Sequence, residues 1–259
     1  MMGVGSLMSS SRGSGEGGSP GFSAQAQQFF DRISAPAAAR KTQYATLIDA
    51  LVTAGVWAKL DTLYVLAAAD AATARTNLKS SSFGASEVNA PTFTVDRGYT
   101  GAATKYVDTT FNATTATAPN FTRNSASFGV WVLTARAGST TAEGGTSVHV
   151  YPRFSDNNAY LRVNDTAAGK SVASSNGFYL GNRSGANARE GYKNGVSLGA
   201  YGTVASSALL NESFRIGYGA GGLSTDLIAV HCAGGSLTSG EQSALYDALN
   251  VYLQAVGAV

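Results

Sequence analysis

Tyr192-Lys193-Asn194-Gly195-Val196, then Phe214-Arg215-Ile216-Gly217, then Asp226-Leu227-Ile228-Ala229-Val230-His231 close the chain as a glycine-punctuated strand pattern. Ser236-Leu237-Thr238-Ser239-Gly240-Glu241 follows and opens a helical run to Val256. Asn194-Gly195 between apolar flanks signals a tight hairpin, because both turn residues tolerate positive φ. Thr238 with Glu241 three residues on reads as a capping box ahead of an apolar helix face. Leu245, Leu249, Leu253 and Val256 form one stripe on that helix, suited to closing a sheet face or edge.

Working back from this end, short strands separated by turns extend to about Asn89. They are expected at Thr92–Val95, Tyr106–Asp108, Ser127–Arg136, Ser147–Tyr151, Tyr160–Val163, Gly177–Gly181, Glu190–Lys193, Ser213–Gly217 and Leu227–Cys232. Such a series indicates a two-sheet sandwich. In Phe128-Gly129-Val130-Trp131-Val132-Leu133 both alternating sets are apolar, which places this strand centrally with both faces covered. Residues 22–88 read as a small helical module, the natural cover for one face. Ser23 can cap a helix whose Ala26, Phe29, Phe30 and Ile33 share a side. Tyr44, Leu47, Ile48, Leu51 and Val52 mark an amphipathic helix, and Gly55 stands where a left-handed cap is favoured. Trp57 to Leu66 fits a strand or a short helix equally well. Asp70 can cap a further short helix through Leu78. Residues 1–21 are a Gly/Ser-rich arm that buries too little apolar surface to order itself, so it is expected to lie against a partner chain. Residues 89–259 complete the organisation as a jelly roll with a C-terminal helix.

Charged residues make up 13% of the 259-residue chain, against a usual value of about 25%. Polarity comes instead from Ser, Thr, Asn and 31 glycines. The net charge is +2 and no basic run exceeds Arg40-Lys41, which argues against a nucleic-acid partner. A single cysteine, Cys232, excludes an intrachain disulfide and reads as a buried thiol. No uncharged apolar stretch is long enough for a membrane span, and the first residues lack the charged-then-apolar pattern of a secretory leader.

Residues 44–78, with Tyr44-Ala45-Thr46-Leu47-Ile48-Asp49-Ala50-Leu51, Gly55-Val56-Trp57-Ala58-Lys59-Leu60-Asp61 and Asn77-Leu78, run into Asn89-Ala90-Pro91-Thr92-Phe93-Thr94-Val95-Asp96-Arg97-Gly98-Tyr99. Tyr106-Val107-Asp108-Thr109-Thr110-Phe111-Asn112 follows. This order, with the closing strands, resembles the laminin-G-like, concanavalin-A-like jelly-roll structural proteins of tailed bacteriophages over about residues 40–259. The resemblance implies a mainly β fold: a two-sheet concanavalin-A-like sandwich preceded by a helical module and an extended arm. It further implies a non-enzymatic virion protein made in the host cytoplasm and exposed on the particle surface, as head decoration or as part of a tail or fibre. Its partners would be the major head or tail protein, copies of itself, and host-surface glycan. The arm would anchor it, through Val4, Leu7, Met8 and Arg12. The alternative on the same fold is a polysaccharide-degrading enzyme or a free lectin.

Glycosidic cleavage needs two carboxylates flanking the scissile bond, and the six glutamates stand alone in the sequence. No catalytic residue is therefore assigned. His149 and His231 lie in strand patterns without an acid nearby in sequence, and read as packed residues rather than metal ligands. Gly217 to Gly222 lacks the Lys-Ser/Thr of a phosphate loop. Asp156-Asn157-Asn158 and Asn164-Asp165 offer oxygen ligands that calcium could use, although Asx side chains also stabilise their own turns. No other cofactor or metal is expected. Glycan binding would pair aromatic faces with amide and guanidinium donors in neighbouring loops. The candidates are Tyr151 with Arg153 and Asn157, and Asn182-Arg183 with Arg189.

Overall fold

The computed structural model describes residues 21–136, 143–145, 147–166, 168–219 and 222–259. The helices are α1 (Ala24–Phe30), α2 (Ala38–Thr53), α3 (Val56–Lys59), α4 (Ala71–Ala74) and α5 (Ser239–Ala255). The strands begin with β1 (Leu60–Val65), β2 (Ser86–Val88), β3 (Thr92–Thr94), β4 (Gly98–Thr100), β5 (Tyr106–Asp108) and β6 (Ala126–Val132). They continue with β7 (Glu143–Gly144), β8 (Val148–Tyr151), β9 (Asn158–Val163), β10 (Lys170–Ser171), β11 (Gly177–Arg183) and β12 (Arg189–Lys193). The last are β13 (Val196–Ala200), β14 (Arg215–Ile216), β15 (Tyr218–Gly219), β16 (Gly222–Leu223) and β17 (Leu227–Gly234).

The main sheet runs β13-β12-β11-β6-β17-β4-β3, with β1 also paired to β17. A second sheet, β10-β9-β8-β7, and a small β14-β5-β2 sheet lie across its inner face. All the pairings are antiparallel. The result is a mainly β two-sheet sandwich with helices on its back.

The central strand shows how the sequence dictates these layers. Phe128, Val130 and Val132 point into the core between the sheets, while Trp131 points into the core beneath the helices. On β17, Val230 and Cys232 face the helices and His231 and Ala233 the sandwich interior. Gly129 has no room for a side chain: a Cβ there would stand 2.7 to 3.0 Å from Leu180, Phe178 and Cys232. Cys232 is accordingly buried, and burial pushes its thiol up to about 12.

Both end signals take the expected form. Asn194 and Gly195 have φ of 51° and 75° and join β12 to β13, with Lys193 opposite Val196. Thr238 and Glu241 form the reciprocal capping box, and Lys59 adds an ion pair to Glu241 at 2.6 Å. The stripe of α5 packs on α2 and the main sheet, so α5 shares the layer of the helical module.

The ambiguous segment after Trp57 divides: α3 ends at Lys59 and β1 follows. Leu63 and Val65 face the helix layer, Tyr64 and Leu66 the sandwich core, so both sides of this strand are buried. Asn77 closes its outer edge, accepting from the Leu63 N–H at 3.0 Å, and the Leu78 N–H donates to Leu63 O at 2.8 Å. The stretch 22–88 thus contributes β1 to the main sheet and β2 to the small one. The helix capped by Asp70 stops at Ala74, short of the expected Leu78, because Asn77 and Leu78 turn in to this edge.

Candidate functional site

The β8–β9 hairpin builds an aromatic cleft on the outer face of the second sheet. Strand alternation sends Val148, Val150, Ala159, Leu161 and Val163 into the sandwich core. The opposite set, His149 and Tyr151 on β8 and Tyr160 and Arg162 on β9, faces outward, with Tyr151 paired to Tyr160 and His149 to Arg162. Phe154, in the connecting turn, joins them. Its ring centroid lies 5.3 Å from that of Tyr151 and 5.7 Å from that of Tyr160, both edge-on. Tyr151, Phe154, Tyr160 and Arg162 line a cleft of about 180 Å³.

Local polar chemistry fixes the turn. Asn157 adopts a positive φ of 65°, a conformation Asn tolerates. The Asn158 N–H donates to Asp156 Oδ1 at 3.0 Å, and the Tyr160 hydroxyl donates to Asp156 Oδ2 at 2.7 Å. That hydroxyl bond holds the Asp156 carboxyl below its ordinary range and raises the Tyr160 phenol. Arg153 donates to Asn157 Oδ1 at 2.6 Å and to Arg136 O at 3.1 Å. The Arg162 guanidinium lies 5.2 Å from the Tyr160 ring centroid, and its Nη1 is 3.3 Å from His149 Nε2. His149 is buried behind Tyr151, as expected of a packed strand residue.

Of the residues singled out in the sequence, Tyr151, Arg153 and Asn157 come together here. Asn182, Arg183 and Arg189 do not, and the structure corrects their assignment as surface ligands. Asn182 is buried, bonded to the Leu237 backbone through both ends of its amide. Arg183 is 0% exposed and Asp165 3%. Arg183 Nη2 and Arg189 Nη1 reach the two oxygens of Asp165 at 2.6 and 2.5 Å. Arg183 also donates to Val163 O at 2.8 Å, and Arg189 to Leu161 O. These guanidiniums tie β9 from beneath, so they hold the strand that presents Tyr160 and Arg162. Val4, Leu7, Met8 and Arg12 lie outside the described residues.

Most of the calcium candidates are engaged elsewhere: Asp156 and Asn157 serve the turn and Asp165 the two arginines, while Asn164 donates through its amide nitrogen to Thr122 O and Arg123 O and its buried Oδ1 has no hydrogen-bond partner. Among the described residues no group of three or more His, Cys, Asp or Glu side chains could hold a metal, and no helix is long and apolar enough to cross a membrane.

Phe154, Tyr160 and Arg162 were not among the sequence candidates. The signal was present in Asn158-Ala159-Tyr160-Leu161-Arg162-Val163, where small and apolar residues alternate with large polar or aromatic ones.

No protein-family model matches the chain, and no curated protein matches it. Solved structures do resemble it. A mutant of Trypanosoma rangeli sialidase displaying trans-sialidase activity aligns at 11% identity and a TM-score of 0.50, over 83% of this chain and 38% of that one. Domain 4 of AbnA, a GH43 extracellular arabinanase from Geobacillus stearothermophilus in complex with arabinotriose, aligns at 16% identity and a TM-score of 0.49. That match covers 72% of this chain and 98% of the arabinanase domain. T. rangeli sialidase in complex with 2,3-difluorosialic acid aligns at 14% identity and a TM-score of 0.49, over 73% of this chain and 32% of the sialidase. At these identities the likeness is one of fold. These similar structures are carbohydrate-active enzymes or parts of them, and none is a phage component. The expectation of a non-enzymatic, surface-exposed virion protein is corrected accordingly.

Proposed function

We propose that the chain is a lectin-type glycan-binding β-sandwich whose binding site is the Tyr151–Phe154–Tyr160 cleft. The observation that carries this reading is the cleft itself: three aromatic rings on one hairpin with Arg162 in the wall, and Arg153, Asp156 and Asn157 in the connecting turn. A pyranose has an apolar face of C–H groups that packs on an aromatic ring, and a rim of hydroxyls that needs planar donors and acceptors. Concave, largely apolar sites with a few fixed polar groups bind small ligands in this way. Strands hold such a site more firmly than free loops do. Among the described residues that line the cleft there is no carboxylate, and Asp156 beside it is already bonded by Tyr160, whereas glycosidic cleavage uses a pair set about 5–10 Å apart. The cleft therefore suits retention of a sugar.

A glycan array probed with the full chain and with Tyr160→Ala tests this. The wild-type protein should bind a defined subset of glycans. The variant should lose about tenfold or more in affinity, as expected when a central aromatic anchor is truncated. Near-equal binding by the variant, with an unchanged melting temperature, would move the site elsewhere. Absence of binding by the wild-type chain would overturn the reading.

A further inference from the structure

A second cleft, of about 390 Å³, opens at one end of the main sheet, between the strand ends and α5. Into its lining the β3–β4 turn sends Arg97, β6 sends Trp131, the loop before β11 sends Asn176, the β12–β13 turn sends Asn194, and α5 sends Tyr246. The aromatic part is ordered by stacking: the Trp131 and Tyr246 rings lie with centroids 5.4 Å apart and 8° between their planes. The polar part has its acceptors in use and its donors to spare. Asn194 Oδ1 accepts from the Phe178 N–H at 2.8 Å, and Asn176 Oδ1 accepts from the Ser174 hydroxyl at 2.6 Å. Those bonds fix the orientation of both amides and leave each Nδ2 without an acceptor among the described residues. The Arg97 guanidinium has no hydrogen bond, ion pair or ring contact among the described residues, Val259 at the border of the cleft included. The adjacent carboxylate of Asp96 is taken by Arg40 at 2.8 Å. No Asp or Glu side chain is among the described residues that line the cleft.

We infer that this cleft is a second binding site, for a small carboxylic acid with an apolar body. Arg97 and the Asn176 and Asn194 amides receive the carboxylate, and the body lies against the Trp131–Tyr246 wall. A planar guanidinium meets a carboxylate through two parallel N–H donors. Apolar walls with a few placed polar groups are the usual form of a small-ligand site. The hydroxyls of a sugar need acceptors as well as donors, and here the amide oxygens are already bonded. The donor set thus separates this cleft from the one on the β8–β9 hairpin, and the inference does not depend on the glycan-binding reading. Three donors supplied by three separate turns converge on one wall, so ligand and fold ends are held together.

Calorimetric titration of the full chain with phenylacetate, phenylacetamide and acetate tests this. Phenylacetate should bind saturably and about ten- to a hundredfold more tightly than its uncharged amide, the range of a charge-assisted hydrogen bond. Acetate, which keeps the carboxylate but lacks the ring, should bind about tenfold or more weakly than phenylacetate. Arg97→Gln should erase most of the preference for acid over amide, and Arg97→Lys should restore part of it. The melting temperature should not move in either variant, because the guanidinium bonds nothing in the fold. Tyr246→Leu, which removes the stacked ring, should weaken both phenyl probes alike. Lys105→Gln, which removes one positive charge from the exposed turn after β4, should leave the preference intact. The inference is overturned by equal affinity for phenylacetate and phenylacetamide, or by an acid preference that survives Arg97→Gln. Acetate binding as tightly as phenylacetate, or no saturable binding of phenylacetate, would overturn it as well.

Discussion

His231 lies between the two sheets with the rings of Tyr64 and Phe128 at 6.0 and 4.9 Å, and neither ring nitrogen has a hydrogen-bond partner. Burial therefore lowers its pKa from 6.5 to about 3 and keeps the imidazole neutral in the fold. In the unfolded chain the same group takes up a proton near pH 6.5. A group whose folded pKa is depressed stabilises the fold above its unfolded value, and that contribution is lost as pH falls. Stability should decline between about pH 6.5 and 3, by up to roughly 5 kcal/mol from this residue. His231→Leu should move the midpoint of acid unfolding, followed by circular dichroism, to lower pH. Superimposable acid curves for the two proteins would count against the assignment. Asp165 is the second residue on which the fold depends. Asp165→Asn would leave two buried guanidiniums without their counter-charge and should cost about 3–5 kcal/mol in urea unfolding. Asp156→Asn, at an exposed turn, should cost less than about 1 kcal/mol. This contrast also explains what was hidden in the sequence. Asn182, Arg183 and Arg189 look like a polar surface run, and only the approach of Asp165, 18 and 24 residues away, converts the two arginines into interior ties. Local pattern carries no information about such a partner.

At the scale of elements, the parts set by local chemistry were legible. The Asn194-Gly195 hairpin, the Thr238–Glu241 cap, the Ser23 cap and the double-sided strand around Trp131 follow from turn geometry, orphan backbone groups and side-chain alternation. Thr238→Ala removes the acceptor for the Glu241 N–H and leaves the capping box only its backbone half, the residue-238 N–H to the Glu241 carboxylate, so thermal unfolding should register a loss of about 1 kcal/mol. β1 was not legible, because a run that is apolar on both sides has no period to read. Its pairing with β17 and its Asn77 edge closure decide it. The short strands β7, β10, β15 and β16 likewise depend on neighbours rather than on their own two residues. In the β8–β9 hairpin, the alternation that buries Leu161 and Val163 also exposes Tyr160 and Arg162. The core and the candidate site are two faces of one pattern. The buried face marks the strand in the sequence, whereas Tyr160 and Arg162 on the exposed face look like any polar or aromatic surface residue.

For the whole molecule, three layers divide the work. The helices α1, α2, α3 and α5 cover one face of the main sheet, the second sheet covers the other, and Asp165 with its arginines ties β9 down from the inside. The outer face of that second sheet is left to present a cleft. With 13% charged residues in the chain, a guanidinium in the wall of that cleft, Arg162 against Tyr160, stands out. The likeness to the sialidase structure is one of fold, while the candidate site belongs to this chain's own hairpin. The most direct test is amide shift mapping of the isotope-labelled full chain on addition of the oligosaccharide that binds it most strongly on an array. The account predicts saturable shifts concentrated at Tyr151 to Arg162. Shifts confined to another surface, such as the cleft of Lys59, Glu190 and Tyr192 beside the start of α5, would contradict it, as would a spectrum that does not move.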